Sequence, residues 1–245
     1  MVTIVTGGGR GIGAAVAAHL AGLGHDLVVN YRRDADAAQA VAAAARAAGV
    51  RATAVGADVA DPGDVERLFE LAAELGPVTG LVNNAGLTAH LGDLADTPVD
   101  AIRIVLEVNL LGTVLCCRRA VQVMSRRRGG AGGAIVNLSS AAATLGSAHD
   151  YVHYAAAKAA VDTLTAGLAR EVAAEGVRVN AVAPGVVRTR IHADAGSPDR
   201  ADRAAGRIPL GRPGEPAEIA PAVGWLLGPD AGYTTGAVLR VSGGL

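Results

Sequence analysis

The 245-residue sequence holds two cysteines, one phenylalanine, one tryptophan and a single lysine, and each scarcity excludes something. Cys116 and Cys117 are adjacent in what reads as a long helix, where neighbouring side chains diverge. No disulfide is expected, and both thiols read as packing residues. No run approaches the roughly 18 uninterrupted apolar residues that a membrane span needs, although 51% of the chain is apolar. A water-soluble protein with no membrane partner follows. Met1 leads directly into Val2-Thr3-Ile4-Val5, leaving no room for the charged and apolar regions of a secretory signal, so cytoplasmic residence is expected. A formal net charge of -1 argues against a nucleic-acid partner, which needs clustered cations to neutralise phosphates. The one cluster, Arg126-Arg127-Arg128, precedes Gly129-Gly130 and reads as a last helical turn before a glycine cap.

The length suits one large α/β domain over residues 1–245 and is short for two. Short β-branched runs alternate with Ala-rich helical stretches, which predicts a doubly wound, seven-stranded parallel sheet with helices on both faces. Strands are expected near Val2-Thr6, Leu27-Asn30, Arg51-Gly56, Gly80-Asn83, Ala134-Ser139, Arg178-Val182 and Ala237-Val241. Thr97-Pro98-Val99-Asp100 reads as a capped helix start, with Thr97 as cap and a helix running from Pro98 towards Arg126. Between Pro184 and Gly214 the alternation fails, and the segment 186–213 reads as a substrate loop.

Thr6-Gly7-Gly8-Gly9-Arg10-Gly11-Ile12-Gly13 lies between the first strand and the first helix. Glycines let the backbone approach a pyrophosphate, and the helix that follows points free N–H groups at it. The spacing of Gly7, Gly11 and Gly13 differs from the common G-x-G-x-x-G. An acid at the end of strand two would bind a ribose 2′-hydroxyl and select NAD. The chain has instead Asn30-Tyr31-Arg32-Arg33, whose guanidinium groups suit a 2′-phosphate, with Arg10 able to assist from the glycine turn. NADP(H) is the expected cofactor.

Tyr154 and Lys158 are four residues apart on a helical stretch and therefore share a face. A positive charge about 4 Å away is worth about 4 kcal/mol at an effective dielectric near 20, enough to draw a phenol from about 10 towards 7. Tyr151 is the competing tyrosine, but it stands about 10.5 Å from Lys158 along the axis. Twenty-one of the twenty-two cationic side chains are arginine, so the one lysine marks a position that needs an ammonium. Ser140, at the end of the fifth strand, is placed to polarise a carbonyl.

These residues together resemble the short-chain dehydrogenase/reductase family over essentially the whole chain. Thr6-Gly7-x-x-x-Gly11-Ile12-Gly13 is similar to its cofactor loop, Asn83-Asn84-Ala85-Gly86 to its signature after strand four, and Tyr154-x-x-x-Lys158 to its active site. Further matches are Asp58 with Val59, Asn109, and Pro184-Gly185 with Val187 and Thr189. The resemblance implies a Rossmann fold, hydride transfer between a nicotinamide and a small-molecule carbonyl or alcohol, and a homotetramer. It implies that Ser140 and Tyr154 bind the reacting oxygen, Lys158 holds the ribose and lowers the tyrosine pKa, and Asn109 anchors a relay water. Asp58 would touch adenine, and Pro184, Gly185 and Thr189 would seat the carboxamide, with Gly9, Ala85 and Gly86 also along the cofactor. The family's serine lies thirteen residues before its tyrosine whereas Ser140 lies fourteen before Tyr154. That places one extra residue in Gly146-Ser147-Ala148-His149-Asp150 and leaves Ser139 as the alternative. The stretch around Ser140 and Tyr151-Val152-His153-Tyr154 is similar to a glucose dehydrogenase or 3-oxoacyl carrier-protein reductase branch.

Two rival readings remain. His149 and His153 stand at the i, i+4 spacing of a zinc hydrolase, without a glutamate base or an evident third ligand. A sensor of the NADP/NADPH ratio would keep the fold and discard the chemistry. The pocket is expected from Thr88-Ala89-His90, residues 141–153 and the segment Val186 to Arg207, where Arg188, Arg190 or His192 are candidates to meet an anionic group.

Overall fold

A computed structural model describes residues 1–191 and 193–245, so His192 lies outside the described residues. Seven parallel strands form one sheet in the order β3-β2-β1-β4-β5-β6-β7. They are β1 (Val2–Val5), β2 (Asp26–Tyr31), β3 (Ala52–Gly56), β4 (Val78–Asn83), β5 (Gly133–Leu138), β6 (Val177–Pro184) and β7 (Val238–Val241). Each expected strand is present, with ends shifted by two residues at most.

Successive strand residues point to opposite faces, which is why these runs are apolar throughout. Val5, Leu27, Val29, Val82, Val136 and Val182 face helices α1 (Gly11–Gly22) and α9 (Pro216–Leu227), meeting Val16, Leu20, Ile219, Val223 and Leu226. Their neighbours Ile4, Val28, Leu81, Ile135 and Val179 face α3 (Pro62–Glu74), α5 (Gly112–Met124) and α7 (Val152–Val172), meeting Leu68, Phe69, Met124 and Val172. Cys116 and Cys117 are buried in this second layer, as their packing role requires. Burying each such side chain is worth about 1.5–3 kcal/mol.

One polar chain crosses this core. Asn83 Nδ2 donates to Asn137 Oδ1 at 2.9 Å, and Asn137 Nδ2 donates to Thr165 Oγ1 at 2.9 Å. Unpaired, these amides would each cost about 1–3 kcal/mol. Paired, they register β4, β5 and α7, and so fix the helix that carries Tyr154.

The expected helix from Pro98 towards Arg126 is interrupted. Helix α4 spans Val99–Leu106, a π turn covers Glu107–Leu111, and α5 ends at Met124. Thr97 does not cap it: its hydroxyl donates back to the Asp93 carbonyl at 2.9 Å, and Pro98 takes the cap position. The arginine triplet forms its own short 3-10 turn, closed by Gly129 at φ 89°. No helix among the described residues is long and apolar enough to cross a membrane.

Candidate active site

Strands β1 and β4 are neighbours whose chains leave to opposite sides, and the crevice at such a switch point is where α/β sheets place ligands. Here it opens into a cleft of about 920 Å³. His90, His149, His153 and Arg188 do not line it, whereas of the residues expected to form the catalytic and cofactor sites all but Thr6, Gly13 and Asn109 do.

Those three hold the wall from behind. Thr6 Oγ1 accepts from the backbone N–H groups of Asn84 and Ala85, both at 3.0 Å, while Asn84 Nδ2 donates to the carbonyls of Thr6 and Gly7. Gly7, at φ 60°, adopts a left-handed turn that a side chain would strain. Asn109 sits in the π turn, fully buried, and clamps Leu87 with both ends of its amide at 2.8 and 2.9 Å. π turns are frequent at functional sites because they redirect one side chain out of helical register. This one spends the Asn109 side chain on the loop carrying Gly86, where an added Cβ would lie 3.0 Å from Asn109 Oδ1 and 3.6 Å from Lys158 Nζ.

At the far end of the cleft Asn30 is a brace. Its Oδ1 accepts from Gly7 N–H and its Nδ2 donates to the carbonyls of Tyr31, Val55 and Ala57. Arg32 Nε pairs with Asp58 at 2.8 Å, and Arg10 Nη1 with Asp194 at 2.9 Å. Arg33 is exposed. The turn after β6 closes on the glycine turn, since a Cβ on Gly11 would meet the Thr189 methyl at 3.3 Å. A dinucleotide fits this donor set: a glycine cradle at a helix N-terminus, cations beyond strand two, and Pro184, Gly185 and Val187 along the opposite wall.

The two serines after β5 separate cleanly. Ser139 is buried and donates to the Lys158 carbonyl at 3.4 Å. Ser140 shares the cleft wall with Tyr154, whose pKa it lowers, and accepts from Ala142 N–H at 3.1 Å. In the stretch before α7, Gly146, Ser147 and His149 take left-handed conformations at φ 75°, 50° and 62°.

The expected lowering of the Tyr154 phenol by Lys158 is not what the side chains produce. Burial pushes the phenol up and Tyr151 adds to it, with only Ser140 opposing. Lys158 Nζ donates to the Leu138 carbonyl at 2.7 Å and lies 5.7 Å from the Tyr154 ring centre. Its own pKa is lowered to about 8, mainly by burial, although Asp162 pulls it upward. The buried ammonium therefore costs stability. A shift from 10.5 to about 8 corresponds to about 3 kcal/mol. The folded protein holds this proton less tightly than the unfolded chain, so stability is gained as pH rises from 8 to 10.5 and is flat below. Denaturation of Lys158→Met beside the unaltered protein should show the difference moving by about 3 kcal/mol in favour of the unaltered protein over that range; a pH-independent difference would refute the assignment.

The histidine pair dissolves on inspection. His149 precedes α7, in a left-handed turn, and its Nδ1 meets Asp93 Oδ1 at 2.8 Å. His153 is buried inside α7 with Nε2 on the Thr88 carbonyl at 3.1 Å. The two are not on one helical face, and among the described residues no cluster of three metal-ligating side chains forms. Arg188 is also taken, by Asp202 and Glu215.

Sequence reasoning missed Arg200. It lies in α8 (Arg200–Arg203), lines the cleft, and is 8% exposed. Nothing local sets it apart from Arg203 and Arg207, and its partners are 49 and 50 residues away.

Comparison with known proteins agrees with this geometry. Residues 7–245 match the family described as enoyl-(acyl carrier protein) reductase. The chain is 45% identical to the uncharacterized oxidoreductase YgfF of Escherichia coli (strain K12), covering 99% of both chains. It is 37% identical to an NADPH-dependent aldehyde reductase-like protein, chloroplastic, of Arabidopsis thaliana, covering 99% of this chain and 93% of the relative. Among solved structures, a short chain dehydrogenase from Burkholderia cenocepacia J2315 in complex with NADP superposes with a TM-score of 0.90 at 36% identity, over 99% of this chain and 96% of that one. With the sheet order, the cleft at its switch point and relatives matched from end to end, the chain belongs to the short-chain dehydrogenase/reductase family of oxidoreductases.

Proposed function

We propose that this protein reduces a small-molecule carbonyl to an alcohol with NADPH, using Tyr154 as the general acid. The observation that carries this reading is the triangle of Ser140, Tyr154 and Lys158 on the cleft wall, with the phenol held in its protonated form by burial. A proton-bearing phenol is in the form that reduction of a carbonyl requires of its acid.

The dinucleotide, when bound, supplies the hydride. Ser140 donates a hydrogen bond to the carbonyl oxygen, Tyr154 delivers the proton to that oxygen, and Lys158 holds the positive charge that stabilises the phenolate left behind. Lys158 also stands beside Gly86, where it can bind a sugar hydroxyl. Asn109 acts by shaping the Leu87 loop through its amide. The segment 186–213 is the substrate loop. The family resemblance implies self-association into a homotetramer, and Val238 on the edge strand β7, Tyr233 before it and Trp225 on α9 are exposed apolar residues available to it.

Preference for NADPH rests on Arg32 and Arg33, and on the cofactors named for the plant relative and the Burkholderia structure. A 2′-phosphate must compete with Asp58 for Arg32. Charge-assisted hydrogen bonds are worth about 1.5–3 kcal/mol. Replacing Arg32 and Arg33 by Ala should therefore weaken NADPH about tenfold or more in a fluorescence titration and leave NADH within about twofold. Equal NADPH affinity in the variant would remove the basis for the preference. The function itself is tested by following NADPH and NADH absorbance with a panel of ketones, 3-oxoacyl thioesters and sugars; no oxidation with any carbonyl would count against it.

A further inference from the structure

Arg200 reaches out of the irregular segment into the residues just before Tyr154. Its Nη1 and Nη2 donate to Asp150 Oδ1 and Oδ2 at 2.8 and 3.1 Å, a forked pair, and Nη2 donates again to the Tyr151 hydroxyl at 2.7 Å. The guanidinium carbon lies 4.7 Å from the Tyr151 ring centre. The Arg200 Nε is buried without a partner. Burying a guanidinium is costly, and more so with one N–H unpaired, so packing alone gives little reason for it.

What it grips is a stretch in need of restraint. Ser147 and His149 are non-glycine residues at φ 50° and 62°, a conformation that persists only where surrounding contacts hold it. Tyr151, at the start of α7, has no side-chain cap. The Tyr151 ring meets the Tyr154 ring edge-on, with centres 5.1 Å apart and planes at 77°. Contact therefore runs from Arg200 through Asp150 and Tyr151 to Tyr154.

We infer that Arg200 is a positioning residue: by gripping Asp150 and Tyr151 from α8 it holds the Tyr154 phenol in alignment. The inference rests on the reading of Tyr154 as proton donor. Without the grip, Tyr151 no longer buttresses the reacting ring. A guanidinium suits this task because it can fork onto a carboxylate and still reach a third acceptor, which an ammonium cannot do in one plane.

The test is a double-mutant cycle of Arg200→Met and Tyr151→Phe, with Arg200→Lys as the conservative variant. It is read by steady-state kinetics on the carbonyl most rapidly reduced, by NADPH titration, and by hydrogen exchange over residues 149–156. Arg200→Met should lower kcat about 10- to 100-fold with NADPH affinity within about twofold, as loss of charged hydrogen bonds implies. Arg200→Lys should recover part of that loss. Tyr151→Phe should cost less, and the double variant should be no worse than Arg200→Met, because both act through one contact. Exchange over 149–156 should quicken in Arg200→Met whether or not a substrate is turned over. Unchanged kcat with only a raised KM, independent multiplying effects, or unchanged exchange would each overturn the inference. Failure of the underlying reading looks different: turnover would survive Tyr154→Phe.

Discussion

Tyr154→Phe should lower turnover by about 10²- to 10⁴-fold, the usual contribution of a positioned general acid, while NADPH binding stays within about twofold. The substitution removes one oxygen and keeps the ring that packs edge-on against Tyr151. Tyr154 is 8% exposed and the substitution removes a single hydroxyl, so the folding cost is about 1 kcal/mol, that of one hydrogen bond. The decisive comparison is kcat against dissociation constant. A sensor of the NADP/NADPH ratio would bind cofactor as before and lose nothing, because no proton transfer would depend on the phenol. An enzyme loses its acid and keeps its cradle. A fall in kcat of less than about fivefold, with the fold intact, would leave the sensor reading standing. Thermal denaturation of the variant excludes the trivial explanation, since a shift of only a few degrees accompanies about 1 kcal/mol.

The sheet was legible because each strand carries its own signal. Runs such as Leu27-Val28-Val29 and Ile135-Val136 are apolar on both sides, and only a strand covered by helices on both faces uses such a pattern. The cradle and the Tyr154–Lys158 spacing were legible because both are local, set by turns of a few residues. What stayed hidden depended on distance or on environment. Arg200 meets Asp150 across 50 residues of chain, and no periodicity reports that. The sign of the shift at Tyr154 was misread because a charge at helical spacing was weighed without desolvation, which acts on the phenol and on the ammonium alike. The histidine pair failed for a simpler reason: helical spacing has meaning only inside a helix, and α7 starts at Val152.

Gly13→Ala is expected to destabilise the protein by about 1–3 kcal/mol and to abolish detectable cofactor binding. The added methyl would stand 2.4 Å from the Gly7 carbonyl oxygen and 2.5 Å from Asn84 Nδ2. Neither can yield cheaply. The Gly7 oxygen is backbone of the cradle, and Asn84 Nδ2 already donates to the carbonyls of Thr6 and Gly7 at 2.9 and 3.0 Å. Relief requires α1 to move away from β1, which costs about 1–3 kcal/mol in strain, or the two amide bonds to break, at about 1 kcal/mol each. Either movement carries the N-terminus of α1 out of the cleft, and its free N–H groups with it. Against a total stability of about 5–15 kcal/mol the protein should still fold at low temperature, so binding and folding can be read separately. Gly167→Ala is the control. It lies inside α7, nothing stands within 4 Å of its added methyl, and it should stabilise by about 0.5–1 kcal/mol through helix propensity. If Gly13→Ala melts within a degree or two of the parent and binds NADPH normally, the close approach of α1 to the glycine turn is not what builds the cofactor site.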